Sequence, residues 1–202
     1  MSTHRRPPKG QNAGFSLVEL LVVISLIAIV AVSFGSFFTN YLILYSKYQQ
    51  DSLDFSEMTQ QSQRLAQVLR GLTDIVSESG NDLTVYAYFS PADAYVSQVH
   101  YYLTANNTQL KVDVTPMTAN PPNGTLLTAQ KKTYTIISNY FQVSGTSLFN
   151  YYDANGTLLT PPIADEHSIV QIQINLAEPA SHSSKGQTLS MTISLRNRKI
   201  NL

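Results

Sequence analysis

The stretch from Phe15 to Phe38 is a long run of apolar residues with a few serines, no proline and one charged side chain, Glu19. As a helix it is long enough to cross a bilayer. A charged side chain costs about 2.5–3.5 kcal/mol near the middle of a membrane helix and less near an end, so an acid in this run needs a compensating partner. Gly14 directly precedes the run, and before it lies a short leader with Arg5, Arg6 and Lys9 and no acidic residue. An ordinary secretory signal places its apolar segment ahead of a small-x-small cleavage site. Ala31-Val32-Ser33 fits that pattern loosely, but the apolar stretch is too long and holds an acid. An uncleaved signal anchor accounts for the span and the leader and leaves Glu19 unexplained. A buried soluble helix does not need so long a lipid-like run.

The order basic leader, Gly14, Phe15, then Ser16-Leu-Val-Glu19-Leu-Leu resembles the class III signal of type IV pilins and pseudopilins. The resemblance implies that a membrane-embedded prepilin peptidase cuts between Gly14 and Phe15 on the cytoplasmic side and methylates the new amino group of Phe15. It also implies that Glu19, then the fifth residue, pairs with the amino terminus of a subunit already in a filament. The chain accordingly divides into a leader (1–14), a transmembrane helix (15–38), an amphipathic continuation of that helix (39–79) and an antiparallel β-rich domain (80–202).

Charge adds orientation. The full chain balances 13 basic against 13 acidic residues, and removal of the leader leaves 10 against 13. No basic stripe marks a nucleic-acid binder; Lys131-Lys132 and Arg196, Arg198, Lys199 are short groups suited to solvated surface. The cations before the span, and Lys47 then Asp51, Asp54 and Glu57 after it, place the amino terminus in the cytoplasm and the large domain outside. The chain has no cysteine, so no disulfide braces it.

Beyond the membrane run, Leu44, Tyr48, Phe55, Met58, Leu65, Leu69, Leu72 and Val76 recur at gaps of three, four or seven, the spacing of one helix face. Glutamines and acids fill the positions between. With no proline from Phe15 to Ser79, a single helix over that interval measures about 96 Å at 1.5 Å per residue. Gly80-Asn81 supplies a stop, and Gly71 an earlier one. The remainder alternates with period two. Leu83, Val85, Ala87 and Phe89 form one strand face. Val99, Tyr101 and Leu103 turn at Asn106-Asn107 and return through Leu110, Val112 and Val114. Strand patterns follow at Thr133–Ile137, Tyr140–Val143, Leu148–Tyr152 and Thr157–Thr160. Val170–Leu176 and Leu189–Leu195 complete an α+β chain, with the amphipathic helix covering a sheet.

The ending, Gln171-Ile-Gln-Ile-Asn-Leu, a polar loop, then Thr188-Leu-Ser-Met-Thr-Ile-Ser-Leu-Arg-Asn-Arg198, is similar to the terminal hairpin of J-type pseudopilins of type II secretion and W-type minor pilins. Main pilins often carry a proline about two thirds along the membrane segment, where this chain has Gly35-Ser36. The resemblance therefore implies a non-enzymatic subunit that assembles into, primes or caps a type IV pilus or type II secretion pseudopilus. Its partners are prepilin peptidase, other pilin subunits through the amino-terminal helix, an inner-membrane assembly platform and the membrane itself. A main pilin or adhesive tip module is the alternative, and a membrane-anchored enzyme a third.

Other residue groups are weaker. His4, His100, His167 and His182 are scattered, without metal-ligand spacing, and no cofactor motif is present. Asp165-Glu166-His167 has no nucleophile elbow to accompany it. Asp153-Ala-Asn-Gly156 lacks the flanking carboxylates of a calcium loop and reads as a turn. The Asn-x-Thr triplets at Asn106, Asn123 and Asn155 also read as turns. Twelve tyrosines suit half-buried strands or a stacking surface for sugars or single-stranded DNA.

Overall fold

The computed structural model describes residues 14, 16–104, 106–142, 144–178 and 187–196. Helix α1 spans Leu17–Arg70. Among the described residues nine strands follow, in the order β1 Asp74–Glu78, β2 Asp82–Ala87, β3 Ser97–Leu103, β4 Leu110–Pro116, β5 Lys132–Ile137, β6 Phe149–Tyr152, β7 Leu158–Leu159, β8 Gln171–Glu178 and β9 Gln187–Ser194. Two compact units meet in the chain at Tyr48/Gln49. The first holds the apolar part of α1, whose side chains from Leu17 onward are exposed. The second holds the rest of α1 and all nine strands.

Within the second unit α1 buries a narrow stripe, Met58, Ser62, Leu65, Ala66, Val68 and Leu69. The gaps 58, 62, 65, 69 keep that stripe on one face. Ser62 is the one polar member, 1% exposed, and its hydroxyl donates to the carbonyl of Thr59 at 2.7 Å. A small buried hydroxyl satisfied by its own helix costs little. The expected helix to Ser79 is too long by about two and a half turns. Gly71 and Leu72 close the last turn with bonds to the carbonyls of Val68 and Leu69, and β1 occupies 74–78. Leu72 stays in the core, whereas Val76 is exposed on β1. The apolar period continued across the boundary because Leu72 after the helix and Val76 on β1 both fitted its spacing.

Two antiparallel sheets take the place of the single sheet expected. The first is a meander, β1-β2-β3-β4-β5, and the second has the order β7-β6-β8-β9. Leu83, Val85, Val99, Tyr101 and Val112 of the first share one apolar cluster with Tyr151, Ile172 and Ile193 of the second and with the α1 stripe. The hairpin at Asn106-Asn107 pairs Leu103 with Leu110, and Asn107 takes the left-handed conformation, φ 51°. The final hairpin runs in register from Gln171 opposite Ser194 to Glu178 opposite Gln187.

The strand expected at 140–143 is instead a strap. Tyr140 N donates to Thr108 on the first sheet's side and Phe141 N to Ala177 of β8, at 2.8 and 3.0 Å; Val143 lies outside the described residues. The Ser79-Gly80-Asn81 turn joins the sheets in a second place. Tyr151 Oη donates to the carbonyl of Ser79 and Phe149 N to that of Gly80, at 2.8 and 2.9 Å. Asn81 Oδ1 accepts from Leu148 N and Gln142 Nε2.

Candidate functional site

The residues singled out by the leader pattern lie at the start of α1. Gly14 is exposed and non-helical, and Phe15 lies outside the described residues. Ser16 gives its carbonyl to Leu20 N at 3.1 Å, closing the first turn. Glu19 stands in that turn, exposed. Ser16 and Glu19 have the spacing of a capping box, and an acid there complements the unpaired N–H groups and positive dipole end of the helix. Ser16 was absent from the sequence-based site, although this spacing was there to be read.

The polar groups of the apolar helix differ in how they are satisfied. Ser25, Ser33 and Thr39 hydroxyls donate to the carbonyls of Leu21, Ile29 and Gly35 at 2.8–2.9 Å. These back-bonds let a hydroxyl sit among apolar neighbours without an outside partner. Glu19 has only acceptor oxygens when ionised and makes no ion pair among the described residues. Its charge therefore faces outward, toward whatever surrounds the helix.

That geometry coincides with a family match. The family model described as the prokaryotic N-terminal methylation motif matches residues 9–34. Over this stretch the chain is similar to type IV pilins. The match covers Lys9 to Gly14 of the leader, Glu19 and most of the apolar run, and α1 is long and apolar enough to cross a membrane. A long amino-terminal helix packed against antiparallel sheets is the α+β arrangement of the pilin fold. The match is to an amino-terminal methylation motif and spans the start of α1. A search of curated proteins found no match to the chain.

The remaining candidates fall into place as structure. Asp165 caps the short 3-10 helix Glu166–Ser168 through His167 N at 3.0 Å, while its imidazole neighbour, 3.7 Å away, is largely in solvent. Asp153 Oδ1 accepts from Asn155 N and Thr157 N at 2.8 Å, and Gly156 has φ +77°: the tight turn between β6 and β7. Those bonds, led by that from the Thr157 backbone, hold the Asp153 carboxyl below its usual range. Among the described residues no three His, Cys, Asp or Glu side chains gather as a metal site. At Asn123-Gly124, a β-carbon on Gly124 would fall 1.8 Å from the Ala119 carbonyl oxygen, so that loop requires glycine.

One constellation was not visible in the sequence. On the first sheet, His100 lies opposite Asp113, and its Nε2 is 2.7 Å from Asp82 Oδ2. Asp113, nearly buried, accepts from Thr133 Oγ1 at 2.6 Å and pairs with Lys131. Burial alone would raise the Asp113 carboxyl, but hydrogen bonds from Lys131 and Thr133 and the lysine charge together hold it below its ordinary value. The pairing of β2, β3, β4 and β5 assembles these groups from distant parts of the chain. A groove of about 590 Å³ elsewhere, between Gln60, Arg64 and Gln67 of α1 and the Tyr88–Pro91 segment, includes none of them. Arg64 lies 4.9 Å over the Phe89 ring and ties the helix to that segment.

Proposed function

We propose that the chain is a minor pilin or pseudopilin that assembles into, primes or caps a type IV pilus or type II secretion pseudopilus. The observation that carries this is the methylation motif ending in an apolar helix whose one carboxylate, Glu19, is exposed in the first turn. In this mechanism the helix stores the subunit in the membrane with its amino terminus in the cytoplasm. Prepilin peptidase cuts between Gly14 and Phe15 and methylates the Phe15 amine, which stays cationic. Glu19 then meets the amino terminus of a subunit already in the filament. Opposite charges 4 Å apart attract by about 4 kcal/mol at an effective dielectric of 20. That is comparable with the cost of holding the acid in lipid, about 2.5–3.5 kcal/mol at mid-membrane and less near an end. The pairing is thus strong enough to set axial register between helices.

Mass spectrometry of the mature amino terminus tests the first step. N-methylated Phe15 is the expected start, and an intact leader in cells with active peptidase overturns the proposal. The abundance of the subunit in sheared filaments separates a minor from a main pilin: trace amounts are expected.

A further inference from the structure

The exposed aromatic side chains of the first unit change character along one helix face. Phe34, Phe37, Phe38, Tyr41, Tyr45 and Tyr48 fall within an arc of about 100° at 3.6 residues per turn. All are more than half exposed, from 54% at Tyr45 to 71% at Phe34, so none is committed to the core. The first three rings carry no polar atom and the last three carry a hydroxyl. Tyr41 and Tyr45 lie nearly parallel, their centroids 6.4 Å apart. Phenylalanine tolerates hydrocarbon, whereas a tyrosine ring is accommodated best where one end is apolar and the other wet. The switch falls between Phe38 and Tyr41, and the first charged side chain after Glu19 is Lys47, just past it.

Length gives an independent measure. The rise from Glu19 to Tyr41 is about 33 Å at 1.5 Å per residue, close to a hydrocarbon core of about 30 Å. With Glu19 at one headgroup level, Tyr41 reaches the other. The back-bonded hydroxyls of Ser25, Ser33 and Thr39 all lie within this interval and need no water.

We propose that Tyr41, Tyr45 and Tyr48 form a belt that docks in the headgroup zone of a phospholipid bilayer and sets the depth at which the helix is held before assembly. The belt rests on the membrane-span part of the proposed function and not on cleavage or filament entry. Its partner is the ester and headgroup layer, whose polar groups receive the tyrosine hydroxyls while the rings cover acyl chain ends.

The absence of cysteine makes depth directly measurable. Full-length protein carrying Ser33→Cys or Ser46→Cys is reconstituted in phosphatidylcholine nanodiscs, one chain per disc, and labelled with a membrane-impermeant maleimide. Ser46→Cys is expected to label and Ser33→Cys to stay protected. Replacing all three tyrosines by leucine is expected to slow labelling at position 46 several-fold as the helix sinks; replacing them by tryptophan restores it. Helix content by circular dichroism and the oligomeric state of the disc are checked alongside. Unchanged labelling in the leucine variant overturns the belt, as does protection of position 46 in the tyrosine protein. Protection that appears only with two or more chains per disc overturns it too, since a second copy then covers the face. None of these outcomes alters the mass of the processed amino terminus, so the belt and the proposed function fail separately.

Discussion

Gly80 lies so close to Ser147 that an added β-carbon would stand 2.8 Å from the serine hydroxyl and 3.2 Å from its Cβ. The glycine that promised to end a long helix is instead where the first sheet's β1–β2 turn fits against the approach to β6. Gly80→Ala is expected to destabilise the protein by roughly 1 kcal/mol and Gly80→Val by about 1–3 kcal/mol, as overpacking does. Thermal unfolding in detergent measures both, and wild-type stability in the valine variant would contradict the close fit.

Asp113 gives the β domain an acid-sensitive element. Its folded carboxyl titrates below the ordinary value, so its contribution is present above the unfolded pKa and disappears as pH falls through the folded one. Asp113→Asn is therefore expected to cost about 1.5–3 kcal/mol at neutral pH, the usual range for a hydrogen bond to a charged group. The cost shrinks in acid, below the ordinary carboxylate range. Chemical denaturation across that range, compared between the two proteins, reads the difference; parallel curves would exclude the role.

Glu19→Ala separates processing from assembly. The cut at Gly14–Phe15 and the helix are expected to survive, while recovery in sheared filaments falls about tenfold or more, as a loss of 1.4 kcal/mol or more produces. Normal recovery would remove the charge pairing from the mechanism.

Leu69 and Leu44 share one sequence pattern and differ in surroundings. Leu69 is fully buried and Leu44 is 51% exposed in the first unit. Leu69→Ala is expected to cost about 2–5 kcal/mol. Leu44→Ala stays within about 0.5 kcal/mol in the same unfolding assay.

The sequence showed the anchor, the helix face and the hairpins because each is a local pattern: an apolar run, a three–four period, an alternation closed by Asn-Asn. Leu103 opposite Leu110 and the β8–β9 register follow from such patterns. Partition into two sheets was hidden, because it depends on where Asn81, Gln142 and Leu148 meet, and no short-range signal encodes that meeting. The helix end at Arg70 was obscured by Leu72 and Val76, which prolong the apolar period with one core residue and one exposed strand residue. At the site, Glu19 was conspicuous as the sole charge in an oily run. His100, Asp82 and Asp113 were not, since only strand pairing brings them together.

The turn at Ser79–Asn81 and the Tyr140–Phe141 strap hold the two sheets together without any covalent link. A domain closed this way needs no thiol oxidant to mature, and a reducing buffer leaves every bond across its seam intact.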